Sequence, residues 1–442
     1  GQFNELVFDE VYYAKFASDY WLGNPFFPSH PPLSHYLIAL AMGVGQLFPV
    51  NPDHVNDLTG AVRSTWSYRW LNALTGSTIP LLMAAIAYLL TQRKRLTVLV
   101  MGLTALDGLL LVESRYALNN IYLIFFGLLG HIFVLWYLQQ RQRWQLILGG
   151  IALGCAGSVK WNGFAFLLGI YGLWAIAWLG YIWQQRQSQK HTDETHPTNI
   201  YSLTRWENNF RQRWLALSPQ QVLIWLVLLP LVTYSIIWIP HLLMNPDYAS
   251  LQGFWQIQVD TWQYHRRVGN SPDVHPYCSP WYSWLVMWRP VAYYFQKSGN
   301  LGIIYDVHSM ANPALLWLST GAMGLLFGSV AWTRLHSPSS PSPLPGTTLY
   351  IAINYGVNLL PWVSISRCTF FYHYLPAYLF SILALALMLE TLLRPGKRWH
   401  RIVGFTSLAV IVISFLFWLP IFLGMPLTPQ GFSLRMLFRS WI

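Results

Sequence analysis

Apolar residues run along this chain in long blocks broken by short polar stretches. Eleven blocks, near 33–49, 69–90, 96–113, 118–138, 145–160, 163–183, 221–242, 313–332, 348–362, 371–390 and 402–422, approach or exceed the roughly 18 residues that cross a bilayer. Each predicts a helix, because backbone facing lipid must satisfy its hydrogen bonds within its own segment. Two longer polar stretches interrupt the pattern. Residues 184–220 hold Gln, His, Arg and acids without apolar periodicity and read as a cytoplasmic loop. Residues 243–312, rich in aromatic residues, Pro and His with balanced charge, read as a folded loop on the opposite side. Residues 1–32 read as a first external loop with an interfacial helix carrying Tyr12, Phe16 and Tyr20. The stretch 336–346, with four prolines and four serines, reads as a linker.

Composition excludes the other classes. Only 10% of the 442 residues are charged and 54% are apolar, too few charges to cover a soluble protein of this size. A soluble enzyme, a secreted disulfide module and a disordered chain all drop out. The net charge of +11 sits in short breaks between blocks, at 93–95, 141–143, 186–213 and 394–401. That placement marks the cytoplasmic side rather than a nucleic-acid face. The acidic segment 1–32, the 243–312 loop and the tail after Pro420 belong outside, which requires an even number of crossings. Eleven blocks cannot satisfy that. The basic breaks at 91–95 and 139–143 place the excess block early in the chain, so ten crossings are expected. One all-α membrane unit over 1–442 follows.

The residues able to carry chemistry lie at block ends. Asp9 and Glu10 open the first amphipathic helix, either as acids at a positive helix terminus or as a base and its partner just outside the bilayer. His30, before Pro31 and Pro32, is fixed at the mouth of a span. Asp107, Glu113, Arg115 and Lys160 interrupt apolar blocks, where ionisable groups are costly and are paired or functional. Glu113 and Arg115 read either as a neighbouring charge pair or as part of a site. Lys160 either snorkels or lines a phosphate site. The long loop brings His265 and His275 with Trp281, Trp284, Trp288 and Arg289, a mixture that suits an interface belt, a sugar or a headgroup. A second mouth holds Arg367 and His373. Cys278 and Cys368 can pair only in an oxidising compartment, and the three cysteines match no metal spacing.

Read together, FDEVYYAKFASDY, FFPSHPPLSHYLIAL, ESRYALNN, SVKWNGF, YHRRVGNSPDVHPYCSPWYSWLVMWRP, ANPALLW, LPWVSISRCTFFYHYLPA and RMLFRSWI resemble the protein O-mannosyltransferase family through nearly the whole chain. That resemblance implies a GT-C glycosyltransferase fold and transfer of mannose from a polyprenyl-phosphate donor to Ser/Thr hydroxyls, with inversion. It implies Asp9 as base with Glu10 as partner, and Arg115 and Lys160 beside the lipid phosphate. His30, His265, His275, Arg289, Arg367 and His373 are further candidates for donor phosphate or sugar. No cofactor is required by it, and a divalent metal is left open.

The implied setting is a bacterial plasma membrane with the site facing outward. The implied partners are the lipid-linked sugar, secreted or membrane proteins, the bilayer and the secretion machinery. Family members usually carry a span before the Asp-Glu loop, so these residues are expected to begin after it. Eukaryotic members carry a soluble sugar-binding insert for which this chain has no room. Asn120 stands where many relatives carry an aspartate, which argues against a carboxylate role there. A related transferase acting on lipid or glycan, and a polyprenyl-lipid transporter, are the alternatives.

Overall fold

The computed structural model describes residues 3–190, 210, 212–269, 275–299, 302–336 and 346–442. Most of the expected linker and the centre of the expected cytoplasmic loop lie outside the described residues. Every apolar block becomes helix. The chain opens with α1 (Glu10–Leu22), α2 (Leu33–Gly45), α3 (Thr65–Thr91), α4 (Lys94–Ala105), α5 (Gly108–Ser114), α6 (Asn120–Gln140), α7 (Arg143–Val159) and α8 (Phe164–Lys190). Helix α8 thus runs seven residues into the stretch read as loop. The second half contains α9 (Pro219–Met244), α10 (Leu251–Arg267), α11 (Pro313–His336), α12 (Gly346–Leu359), α13 (Leu375–Leu392) and α14 (Arg398–Leu423).

Among the described residues seven helices are long and apolar enough to cross a membrane: α3, α6, α8, α9, α11, α13 and α14. The pair α4 and α5, bent by 61°, makes an eighth. The break falls at Asp107, whose carboxylate caps α5 by accepting the Leu110 N–H at 2.8 Å and also accepts the Tyr378 hydroxyl at 3.0 Å. Helices α7 and α12, with 17 and 14 residues, fill two further blocks. Helix α2 has 13 residues and spans roughly 20 Å, against about 30 Å of hydrocarbon.

Two antiparallel hairpins were not expected. In the first, β1 (Val55–Leu58) meets β2 (Ala61–Ser64) across Thr59 and Gly60, both with positive φ as a two-residue hairpin turn needs. In the second, β3 (Val291–Ser298) pairs with β4 (Ile303–Ser309), and Ile304 is bridged to Leu427. Helix α13 forms the bundle axis, buried along nearly all its length, while α9 and α14 leave most of their surface outside the protein core. Close helix approach rests on small residues. A Cβ on Gly76 of α3 would stand 2.2 Å from the Ser114 side chain of α5, so this glycine sets how near Glu113 and its neighbours come to α3.

A Cys278–Cys368 disulfide ties the long loop to the segment before α13, with Cα atoms 5.2 Å apart. Paired Ser279–Thr369 hydrogen bonds of 2.8 Å run beside it. It closes a loop of 90 residues, so replacing both cysteines by serine should lower stability by about 2–5 kcal/mol. Thermal unfolding in detergent with and without reductant measures this: the wild type should fall toward the variant on reduction.

Candidate active site

The site grows from the start of α1. Glu10 is fully buried and takes two bonds from the Arg69 guanidinium, Nε to Oε1 at 2.7 Å and Nη2 to Oε2 at 2.6 Å. It also accepts the backbone N–H groups of Val7 at 3.1 Å and Ala117 at 2.9 Å. Remaining Arg69 donors reach the carbonyls of Phe3 and Glu5. These bonds pin residues 3–10 to α3 and to the turn before α6.

Asp9 has the opposite surroundings. It is partly exposed, and its Oδ2 accepts the Tyr372 hydroxyl at 3.2 Å. Burial pushes its carboxyl above the usual range, while the Lys160 charge, the Tyr372 bond and His275 pull it back. The preceding Phe8 has φ of 45°, a strained conformation for a bulky residue. Its ring holds that geometry by stacking on Tyr293 with centroids 5.2 Å apart and meeting His275 and Phe370 edge-on.

Beyond Asp9 the structure gathers cations. Lys160, at the end of α7, is buried at 7% exposure and lies over the Tyr372 ring, 5.5 Å from its centroid. Its ammonium has the Asn120 Oδ1 as hydrogen-bond acceptor at 3.5 Å. Burial pushes it down to about 8, opposed by Asp9 and Glu113. His30 stacks on His265 with centroids 4.8 Å apart. Burial and the charges of Lys160 and Arg367 hold both histidines below their ordinary value. Burial likewise lowers Arg367. The His265 Nδ1 is buried without a hydrogen-bond partner among the described residues. His373 sits close to the same charges, packed against Trp284 and Trp362, with its ring bonded to the Phe370 backbone.

Two expected residues stand apart from this cluster. Arg115 donates to the carbonyls of Phe422 at 2.6 Å and Leu423 at 3.2 Å, so it closes the C-terminus of α14, where a cation suits the helix dipole. Arg289 donates to the Pro276 carbonyl at 2.5 Å and braces the His275 turn. The reading of Glu113 and Arg115 as a charge pair is corrected, because Glu113 instead accepts from Tyr293, Ser309 and Asn120. Arg69, Tyr293 and Tyr372 escaped the sequence reading as site residues. An arginine inside an apolar block was the available signal for Arg69. Among the described residues no three of His, Cys, Asp and Glu converge as a metal site would need.

A helical membrane bundle with a carboxylate and clustered cations at one end has the architecture of a GT-C glycosyltransferase. The family model described as dolichyl-phosphate-mannose-protein mannosyltransferase matches residues 1–242, and that for the C-terminal four TMM region of protein-O-mannosyltransferase matches 250–441. The chain belongs to the protein O-mannosyltransferase family and is a glycosyltransferase by that membership. A polyprenol-phosphate-mannose–protein mannosyltransferase of Mycolicibacterium smegmatis is 23% identical, over 98% of this chain and 87% of its own. One of Corynebacterium glutamicum is also 23% identical, over 98% and 88%. The Saccharomyces cerevisiae protein O-mannosyltransferase Pmt1–Pmt2 complex, solved with its sugar donor, shares the fold with a TM-score of 0.75. That match covers 99% of this chain and 89% of the yeast chain at 16% identity.

The Arg69–Glu10 pair is the anchor for Asp9. Arg69→Met leaves a buried carboxylate unpaired and should cost about 3–5 kcal/mol. Adding Glu10→Gln should recover part of that loss, and unfolding midpoints of the single and double variants give the comparison.

Proposed function

We propose that this protein transfers mannose from a polyprenyl-phosphate carrier to Ser or Thr hydroxyls of proteins at the outer face of a bacterial plasma membrane, inverting the anomeric carbon. The carrying observation is that Asp9, a carboxylate with no ion pair within 4 Å among the described residues, lies beside a cluster of Lys160, Arg367, His30 and His265. The sequence asymmetry supports the outward face: segment 1–32 is acidic, whereas the short breaks at 93–95, 141–143 and 394–401 are basic, as cytoplasmic breaks are.

In this reading the sugar C1–O bond to phosphate breaks and the phosphate keeps the electron pair. The acceptor hydroxyl attacks C1 from the opposite face and gives its proton to Asp9. Lys160 and Arg367 stabilise the phosphate as its charge grows, so no general acid is needed. The unpartnered His265 nitrogen suits a further hydrogen bond to the donor. Glu10 is held by four donors and is therefore a support for Asp9 rather than a nucleophile, which favours inversion over a glycosyl-enzyme route. Arg115 and Arg289 act on the scaffold, and His275 and His373 shape the walls around the reacting groups.

Asp9→Asn should lower kcat by about 10²–10⁴, the usual contribution of a general base. The assay is mannose transfer to a Ser/Thr peptide from polyprenyl-phosphate mannose, with product mass and linkage fixing sugar and acceptor. Unchanged turnover in the folded variant removes Asp9 as base.

The pH profile of kcat/KM should be a bell. Activity falls on the acid side as Asp9, raised by burial, takes a proton and can no longer accept one. It falls on the alkaline side as Lys160 loses its charge near pH 8. Lys160→Arg should keep activity on the alkaline side, because guanidinium stays protonated. An alkaline limb that persists in this variant assigns that limb to another group.

A further inference from the structure

We infer that Glu113 and Asn120 form a positioning relay for Lys160, and that Glu113 registers the phosphate-binding ammonium against the Asp9 segment. The inference rests on the reading of Lys160 as a donor-phosphate cation. Glu113 is fully buried and forms no ion pair within 4 Å among the described residues. Its Oε1 accepts from the Tyr293 hydroxyl and from Ser309 Oγ at 2.9 Å, and its Oε2 accepts from Asn120 Nδ2 at 2.9 Å. Three donors and no acceptor are the partners a carboxylate requires.

Asn120 then faces two neighbours of opposite demand. Its amide nitrogen donates to Glu113 and its carbonyl oxygen faces the Lys160 ammonium at 3.5 Å. Turning the amide over would set oxygen against carboxylate and NH₂ against ammonium, so both neighbours fix one orientation. Negative charge is felt at Lys160 through a neutral group. The same carboxylate holds Tyr293, whose ring stacks on Phe8 immediately before Asp9. One buried group in α5 therefore touches the segment of the base on one side and the holder of the cation on the other.

The charged and titratable groups facing Lys160 are Asp9 before α1, Glu113 in α5, Arg367 and His373 near α13, His30 before α2 and His265 in α10, with the Tyr372 ring beneath. Only Asp9 and Glu113 hold the ammonium charged. The relay thus has a signature that packing alone would not give.

In kcat/KM profiles with polyprenyl-phosphate mannose, Glu113→Gln keeps the shape but removes the charge and should move the alkaline limb to lower pH. Asn120→Ala removes the acceptor beside the ammonium and the bridge to Glu113, and should likewise move the limb to lower pH. If Glu113→Gln fails to fold, Asn120→Ala decides alone. Variants with wild-type unfolding midpoints and an unmoved alkaline limb overturn the relay. Lys160→Arg run in parallel separates the two levels. A limb that survives in Lys160→Arg removes the reading of Lys160 itself, whereas loss there with no shift in the other two variants removes only the relay.

Discussion

The site depends on one buried ion pair, Arg69 with Glu10. Taking two charges out of water costs several kcal/mol each, and only good geometry with further hydrogen bonds offsets it. Here the pair is bidentate, two backbone N–H groups complete Glu10, and two carbonyls complete Arg69. The result fixes a chain segment that has little apolar surface of its own. Because Asp9 is next in sequence to Glu10, its position is settled before any substrate arrives. The strained Phe8 backbone shows the same constraint, since the rings around Phe8 hold a conformation that the local sequence would avoid.

Around Asp9 the balance of charge runs the other way. Lys160, Arg367, His30 and His265 are all pushed toward their neutral forms by burial. Such a cluster is unfavourable when empty, and an anionic group placed among its members relieves it. A phosphodiester donor carries one negative charge through the whole working pH range, so it suits a site whose cations are few and partly desolvated. Donors fixed in advance near a leaving phosphate need no reorganisation as its charge grows. The membrane bundle supplies the low-dielectric walls that make each of these charges count.

Much of the fold was legible because apolar length is a strong signal, and every block of the sequence became helix. Block ends were less legible: residues 46–49 lie beyond α2, and 360–362 lie beyond α12. The first hairpin was hidden because its strands are only four residues long and half polar, with the Thr59–Gly60 turn as their mark. In the site, Asp9, His30, Lys160, His265 and Arg367 come together as a group. Arg115 lies apart from that group: an arginine at a span end suits a phosphate or a helix C-terminus equally well, and its guanidinium bonds the end of α14. Glu113 and Arg115 are two apart, and side chains at that spacing on a helix do not face each other. Sequence adjacency therefore gave a false pair, while the true partners lie 7, 180 and 196 residues away.

Three acids of nearly equal intrinsic strength end in three different conditions, and their partners decide which. Glu10 has a bidentate cation and backbone donors, so its charge is spent on the fold. Glu113 has only neutral donors, so its charge is stabilised without being cancelled and remains available to act at a distance through Asn120. Asp9 has one tyrosine hydroxyl and partial access to solvent, so it is the acid with lone pairs left for a proton. A base needs that last condition, and an ion pair like that of Glu10 would destroy it. The carboxylate proposed as base is therefore the least satisfied of the three, and its neighbour in sequence, the most satisfied, holds it in place.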